Sequence, residues 1–232
     1  MLTIDTLNQF YGESHTLWDL DLAVPAGQCT CVMGRNGVGK TTLMKAIMGE
    51  VAVASGSICY DEVIELTSCR VEQRSRLGIG YVPQGRQIFP LLTVEENLRT
   101  GLAARKDGLK RIPSRVHELF PVLEEMKHRR GGDLSGGQQQ QLAIGRALVL
   151  EPRLLILDEP GEGIQPNIVA QIGEVIRRLI QEDGLSVLLV EQKLPFARKY
   201  ADRFMIMDRG RPMARGMIDE LSDALIKEHL TV

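Results

Sequence analysis

The chain has 232 residues, 44% of them hydrophobic and 25% charged, with a formal net charge of -2. That supply of apolar residues excludes a disordered chain, and the near-neutral balance offers no broad basic field for a nucleic-acid backbone, so no nucleic-acid partner is expected. No stretch approaches the roughly 20 apolar residues that span a bilayer, and the opening MLTIDTLNQF lacks a basic region followed by a long apolar one, so neither membrane spanning nor secretion is expected.

Short runs rich in valine, isoleucine and leucine recur between longer helical patterns, which predicts an α/β chain with parallel strands and crossover helices. The first clear strand is Cys29 to Met33. Cys29 and Cys31 lie two apart there, on one strand face, and with Cys59 and Cys69 they show no paired C-x-x-C spacing, so reduced cytosolic thiols are expected. Next comes Gly34-Arg35-Asn36-Gly37-Val38-Gly39-Lys40-Thr41, which fits G-x-x-x-x-G-K-[ST] and leads into a helix from Thr42 to Met48. Glycines let successive N–H groups turn inward around phosphates, Lys40 places a positive charge near the β- and γ-phosphates, and Thr41 can ligate Mg²⁺. A second strand is predicted at Ile79 to Val82. From about Thr93 to Gly132, the residues Val116, Leu119, Phe120, Leu123 and Met126 fall at helical intervals, and Pro121 is expected to end or restart a helix. This segment reads as a small helical subdomain, at about 93–132, inserted in a single domain spanning 1–232.

Leu134-Ser135-Gly136-Gly137-Gln138 precedes a helical run from Gln139 to Leu150. It sets a hydroxyl and two glycines at a helix N-terminus, a second anion-binding element, although taken alone it is also readable as a helix cap. The strand Leu154 to Leu157 then runs into Asp158 and Glu159. Paired carboxylates at the end of a buried strand are costly unless a metal or a reaction uses them. Asp158 suits the shell of a Mg²⁺ ion and Glu159 a general base acting on water; without a phosphate loop nearby, the same pair would read as solvated acids. Ile168, Ile172, Val175, Ile176, Leu179 and Ile180 repeat at helical spacing ahead of a strand at Val187 to Val190, a βαβ crossover. Phe204 to Met207 is the last core strand, Met207 to Pro212 a strand-turn-strand, and Ile218 to Leu230 a closing helix.

In this order, the phosphate loop, the LSGGQ pentapeptide and the acidic strand resemble the ATP-binding cassette (ABC) family over essentially the whole chain. The resemblance implies a P-loop NTPase fold, with a mostly parallel core sheet, an N-terminal antiparallel β subdomain and the inserted α-helical subdomain. It implies ATP and Mg²⁺ as ligands and ATP hydrolysis as the reaction. Two cassettes would pair head to tail, each ATP lying between Gly34 through Thr42 of one and Ser135, Gly136, Gly137 and Gln138 of the other. By the same resemblance Tyr11 matches the aromatic that stacks on adenine, core packing being its alternative, and Gln84 in Val82-Pro83-Gln84 matches the glutamine that senses Mg²⁺ and the water. The implied partners are polytopic membrane permease subunits, a second ATPase subunit and, indirectly, an extracytoplasmic solute-binding protein. The implied location is the cytoplasmic face of the membrane, held peripherally. Phe89, Pro90 and Leu91 are expected to receive a short helix of the permease, a core role being the alternative.

Gly85 through Leu98 is similar to the importer ATPases for branched-chain amino acids, amides and urea. The phrases Tyr11 through Trp18, Met33 through Lys40 and Glu162-Gly163-Ile164-Gln165-Pro166 resemble the urea-importer branch most closely. Two positions depart from the wider family pattern. Gln192 stands where a histidine usually contacts the γ-phosphate; an amide donates a hydrogen bond there but carries no charge, so Glu159, Gln84 and Gln192 are the expected catalytic set. Gly161 and Glu162-Gly163-Ile164-Gln165 replace the commoner Ser or Thr and Ser-Ala-Leu-Asp. Other classes need features not seen: a ribosome- or chromosome-directed ATPase brings tandem cassettes or a coiled-coil insertion, a kinase an acceptor site, and a non-hydrolysing sensor would have lost Glu159.

Overall fold

The computed structural model describes residues 1–105 and 107–230. Lys106, Thr231 and Val232, which the single-domain expectation includes, lie outside the described residues. Strands β1 (Leu2–Tyr11) and β2 (Ser14–Val24) form an antiparallel ribbon. Leu2 and Ile4 alternate inward on β1, yet the next inward residue is Leu7. The register slips between Ile4 and Leu7, and Thr6 and Asp19 take positive φ, so a bulge absorbs the residue that breaks the period of two.

Next come β3 (Cys29–Met33), α1 (Lys40–Met48), β4 (Ser55–Tyr60), β5 (Ile64–Glu65), α2 (Val71–Arg76) and β6 (Ile79–Val82). Helices α3 (Val94–Thr100), α4 (Ser114–Leu119), α5 (Pro121–Glu125) and α6 (Gly136–Leu148) fill the stretch before β7 (Leu154–Asp158). The chain closes with α7 (Pro166–Asp183), β8 (Ser186–Val190), α8 (Leu194–Tyr200), β9 (Arg203–Asp208), β10 (Arg211–Met217) and α9 (Asp223–His229). Among the described residues the strands make two sheets, ordered β2-β1-β4-β5 and β10-β9-β3-β8-β7-β6. The first is antiparallel throughout. In the second, β6 through β9 run parallel to β3, and β10 pairs antiparallel with β9. The fold is therefore α/β with a mostly parallel core sheet beside an antiparallel N-terminal one.

Every residue of β3, β7 and β8 is buried, because the sheet is covered on both faces. Alternation assigns each residue to a side. Cys29, Cys31 and Met33 join the core under α6 and α7, whereas Val32 joins the core shared with α1 and the antiparallel sheet. Helix α1 lies in that second core, burying Leu43, Met44, Ala46 and Ile47 completely. All four cysteines are unpaired thiols, Cys29 and Cys31 buried.

Local chemistry sets the helix boundaries. Helix α6 begins at Gly136, three residues before the sequence-based start, because Ser135 and Gln138 form a reciprocal cap: Ser135 N–H donates to Gln138 Oε1 at 2.9 Å and Gln138 N–H to Ser135 Oγ at 3.4 Å. Pro121 restarts the chain as the first residue of α5. The closing helix is split: a 3₁₀ turn covers Ile218–Glu220, Leu221 is buried, and α9 starts only after Ser222, whose Oγ accepts from Leu225 N–H at 3.3 Å. An unbroken helix from Ile218 to Leu230 is thereby corrected; the period of the apolar residues does not register a cap inside it.

Candidate active site

The parallel arrangement brings the C-terminal ends of β3, β6, β7 and β8 to one edge of the sheet, where loops of such sheets hold ligands. The phosphate-loop sequence leaves β3 and enters α1. Its geometry depends on glycine at two points. Gly39 caps α1 with φ 107, and a Cβ on Gly34 would fall 2.5 Å from the Met207 carbonyl. The loop leads straight into the N-terminus of α1, where free N–H groups make a ready anion site.

Lys40 is buried at 5% exposure and is held by the loop it serves. Its Nζ donates to the carbonyls of Gly34 and Arg35, both at 2.9 Å, and lies 3.6 Å from Glu159 Oε1. From β7 come Asp158 and, immediately after, Glu159. Glu159 has φ 50, a left-handed conformation that costs a non-glycine residue about 1 kcal/mol or more and recurs at working sites. The Glu159 carboxylate is gripped from two sides: Gln192 Nε2, after β8, donates to Oε1 at 2.6 Å, and Gln84 Nε2, after β6, approaches Oε2 at 3.4 Å. Gln192 Nε2 also donates to Asn36 Oδ1 of the phosphate loop at 2.6 Å.

Together Asn36, Gly37, Gly39, Lys40, Thr41, Thr42, Gln84, Glu159, Glu162 and Gln192, with Thr16 from β2, line a cleft of about 360 Å³. Tyr11 and Ser135 through Gln138 are not among its walls. Tyr11 is 46% exposed, which removes the core-packing alternative. Its neighbour Phe10 stacks on His15, which stacks on Trp18, at centroid distances of 4.0 and 3.5 Å. Ser135 is exposed at the start of α6. The fold therefore assembles the phosphate loop, Asp158, Glu159, Gln84 and Gln192, and leaves Ser135 exposed and Gly136, Gly137 and Gln138 half-buried outside the cleft, with Leu134 in the core.

Sequence reasoning missed the residues that tie these parts together. Gln84 Nε2 donates to Glu162 Oε2 at 3.0 Å, and Arg86 donates to the Glu162 carbonyl at 3.4 Å and to Gln139 Oε1 of α6 at 3.1 Å. Arg86 and Gln87 both have positive φ, which turns this loop toward the LSGGQ helix. Glu162 stood out in the sequence only as a departure from the common pattern, and Arg86 carried no signal beyond its place beside Gln84.

Asp158 is 1% exposed, and neither carboxylate oxygen has a hydrogen-bond partner among the described residues. Burial pushes its pKa up to about 6, offset in part by the Thr41 hydroxyl and Lys40, and reinforced by Glu159. A buried carboxylate with two idle oxygens beside a threonine hydroxyl fits an oxygen-ligated dication that takes its remaining ligands from phosphate and water. Among the described residues, no group of three or more His, Cys, Asp or Glu side chains is placed to hold a metal ion. A stability cost follows. A carboxyl whose folded pKa is raised destabilises the ion-free fold wherever it must ionise: nothing below about pH 4, the full amount above about pH 6. Asp158→Asn is therefore expected to stabilise the ion-free chain by ~3 kcal/mol at pH 7.5 and by little at pH 4. Thermal melts of the two chains across that range check it; an unchanged or lower midpoint at pH 7.5 contradicts it.

Residues 17–162 match the family described as ABC transporter. Among curated proteins, the chain is similar to the high-affinity branched-chain amino acid transport ATP-binding protein BraG of Pseudomonas aeruginosa, with 44% identity covering 91% of this chain and 90% of the relative. It is also similar to the probable branched-chain amino acid transport ATP-binding protein LivF of Archaeoglobus fulgidus, with 37% identity covering 95% and 94%. Among solved structures, the ATP-binding subunit of an ABC transporter superposes with a TM-score of 0.83 at 29% identity, covering 95% of this chain and 91% of that one. No helix among the described residues is long and apolar enough to cross a membrane. With the phosphate loop, Glu159, Gln84 and Gln192 brought together, a family match over residues 17–162 and relatives aligned over nearly its full length, the chain belongs to the ABC transporter family, as an ATP-binding, ATP-hydrolysing subunit.

Proposed function

We propose that the chain powers an importer for a small polar solute of the branched-chain amino acid, amide and urea group. Its ATP sites are shared between two cassettes, and the observation that carries this reading is the separation within one chain: the LSGGQ residues Ser135 through Gln138 lie outside the phosphate-loop cleft, with Ser135 exposed at a helix N-terminus. Paired head to tail, Ser135, Gly136, Gly137 and Gln138 of one chain would close over the triphosphate held by Gly34 through Thr42 of the other. Tyr11, exposed beside the cleft strand β2, would stack on adenine.

The chain's own groups would act as follows. Lys40 exchanges its bonds to the Gly34 and Arg35 carbonyls for bonds to the β- and γ-phosphates. Thr41, Asp158 and Gln84 would hold Mg²⁺, which when bound neutralises charge on phosphate oxygens. Glu159 accepts a proton from the attacking water as general base, held in place by Gln192 and Gln84. The closing LSGGQ helix excludes bulk water and sets its dipole on the γ-phosphate.

Gln192 replaces a group able to titrate with one that is not. Gln192→Ala is expected to slow hydrolysis about tenfold through loss of its bond to Glu159, and to leave the shape of the pH profile unchanged. Disappearance of a titration near neutral pH in the variant contradicts the role as a neutral strut.

The surface toward the membrane subunits is proposed at Phe89 and Leu91, 48% and 79% exposed. Phe89 lines a groove of about 460 Å³ that includes Val71, Tyr81 and Arg146, the last stacked over the Phe89 ring at 5.3 Å. The helical insertion at about 93–132 supplies one wall of it. Transport by the complex reconstituted with its permease and binding protein tests the reading. The BraG relative favours ATP-dependent uptake of leucine or valine, whereas the phrases at Tyr11 through Trp18 and Glu162 through Pro166 favour urea. Uptake of neither, nor of a short amide, contradicts the assignment.

A further inference from the structure

The turn after β8 grips the segment that follows Glu159 at more points than a loop presenting one glutamine needs. Glu191 is 3% exposed, and its Oε1 accepts the N–H groups of Gln192 at 2.8 Å and Lys193 at 3.0 Å. Burial raises the Glu191 pKa, and those two N–H groups pull against it. These bonds fix the direction in which residues 192 and 193 leave the strand. Gln192 then holds the Glu159 carboxylate itself. Lys193 reaches the same segment by its backbone: Nζ donates to the Gly161 carbonyl at 2.7 Å.

Only Pro160, with its ring-fixed φ, separates Gly161 from Glu159. Glu159 sits at φ 50, which a non-glycine residue keeps only where its surroundings impose it. The backbone bonds Glu159 N–H to Val190 carbonyl at 3.0 Å and Glu162 N–H to Glu159 carbonyl at 3.1 Å supply part of that constraint. Lys193 adds a charge-assisted bond from the one turn that also holds the carboxylate.

We propose that Lys193 is a positioning residue for hydrolysis: by holding the Gly161 carbonyl it keeps Glu159 in the left-handed conformation that aims its carboxylate at the attacking water. The proposal rests on Glu159 being the general base. A lysine that only stabilises the loop would change the melting temperature and leave the chemical step alone. One that aims Glu159 has nothing left to aim once that carboxylate is gone.

Single-turnover MgATP hydrolysis by the full chain, with nucleotide affinity measured by calorimetry, separates the two. Lys193→Met, similar in length but uncharged, is expected to lower the hydrolysis rate constant about tenfold with affinity changed less than about twofold, and Lys193→Arg to retain about half the rate or more. On a Glu159→Gln background, Lys193→Met should slow hydrolysis less than about twofold further, because the two changes remove the same contribution. Lys193→Gln, shorter and neutral, reads the same contact should the methionine variant fold poorly. An equal slowing on both backgrounds overturns the proposal, as does an affinity loss matching the rate loss, or an unaffected rate while Glu159→Gln is inactive. Normal hydrolysis by Glu159→Gln itself would remove the general base, a failure of the underlying reading that this series tells apart.

Discussion

Glu159→Gln is expected to keep MgATP affinity within about threefold and to lower the hydrolysis rate by about 10² or more, ~3 kcal/mol of barrier. The substitution preserves size and shape, so the amide still fits between Gln192 and Gln84, whose nitrogens lie 2.6 and 3.4 Å from the carboxylate oxygens. One of its two ends must then present an N–H where a carboxylate oxygen accepted, and the neighbouring glutamines can turn their own oxygens to meet it. What cannot be replaced is the proton acceptor. The Lys40 ammonium, 3.6 Å away, keeps its bonds to the Gly34 and Arg35 carbonyls until nucleotide binds, so the phosphate-binding loop should survive unchanged. Calorimetry and single-turnover hydrolysis measure the two quantities separately. Turnover within a few-fold of the unchanged chain would place the general base elsewhere in the cleft.

Why so much of this site was legible in the sequence has a physical basis. A loop that wraps phosphate needs glycine where the chain turns left-handed or passes close to another backbone, and Gly34 and Gly39 occupy such places. A carboxylate at the end of a fully buried strand is costly, so Asp158 announced itself by its position after Leu154 to Leu157. Parallel strands buried on both faces leave long apolar runs, which made β3, β7 and β8 visible. Residues whose importance comes from contacts far along the chain left no such trace. Arg86 meets Gln139 across 53 positions, and Lys193 meets Gly161 across 32, so no local pattern encodes either pair. Boundaries set by a single side-chain bond were also beyond periodicity: Ser222 cut the closing helix, and the Ser135–Gln138 cap advanced the start of α6.

The central claim is that each ATP is enclosed by two chains, and complementation between two defective chains tests it most directly. Lys40→Ala removes the buried ammonium that should meet the β- and γ-phosphates. Ser135→Arg puts bulk and charge at the exposed N-terminus of α6, where the γ-phosphate of the neighbour should be received. In either homodimer both sites are damaged. In a mixed, head-to-tail dimer both lesions fall in one site, and the other keeps an intact Lys40 from one chain and an intact Ser135 from its partner. Trapped nucleotide is the appropriate readout, because two sites that hydrolyse in concert can both stop when one is broken. On a Glu159→Gln background that slows loss of ATP, the mixture is expected to trap about one ATP per mixed dimer while each variant alone traps almost none. If mixed dimers form and trap no more ATP than either variant alone, each chain builds its own site and the shared-site account is wrong.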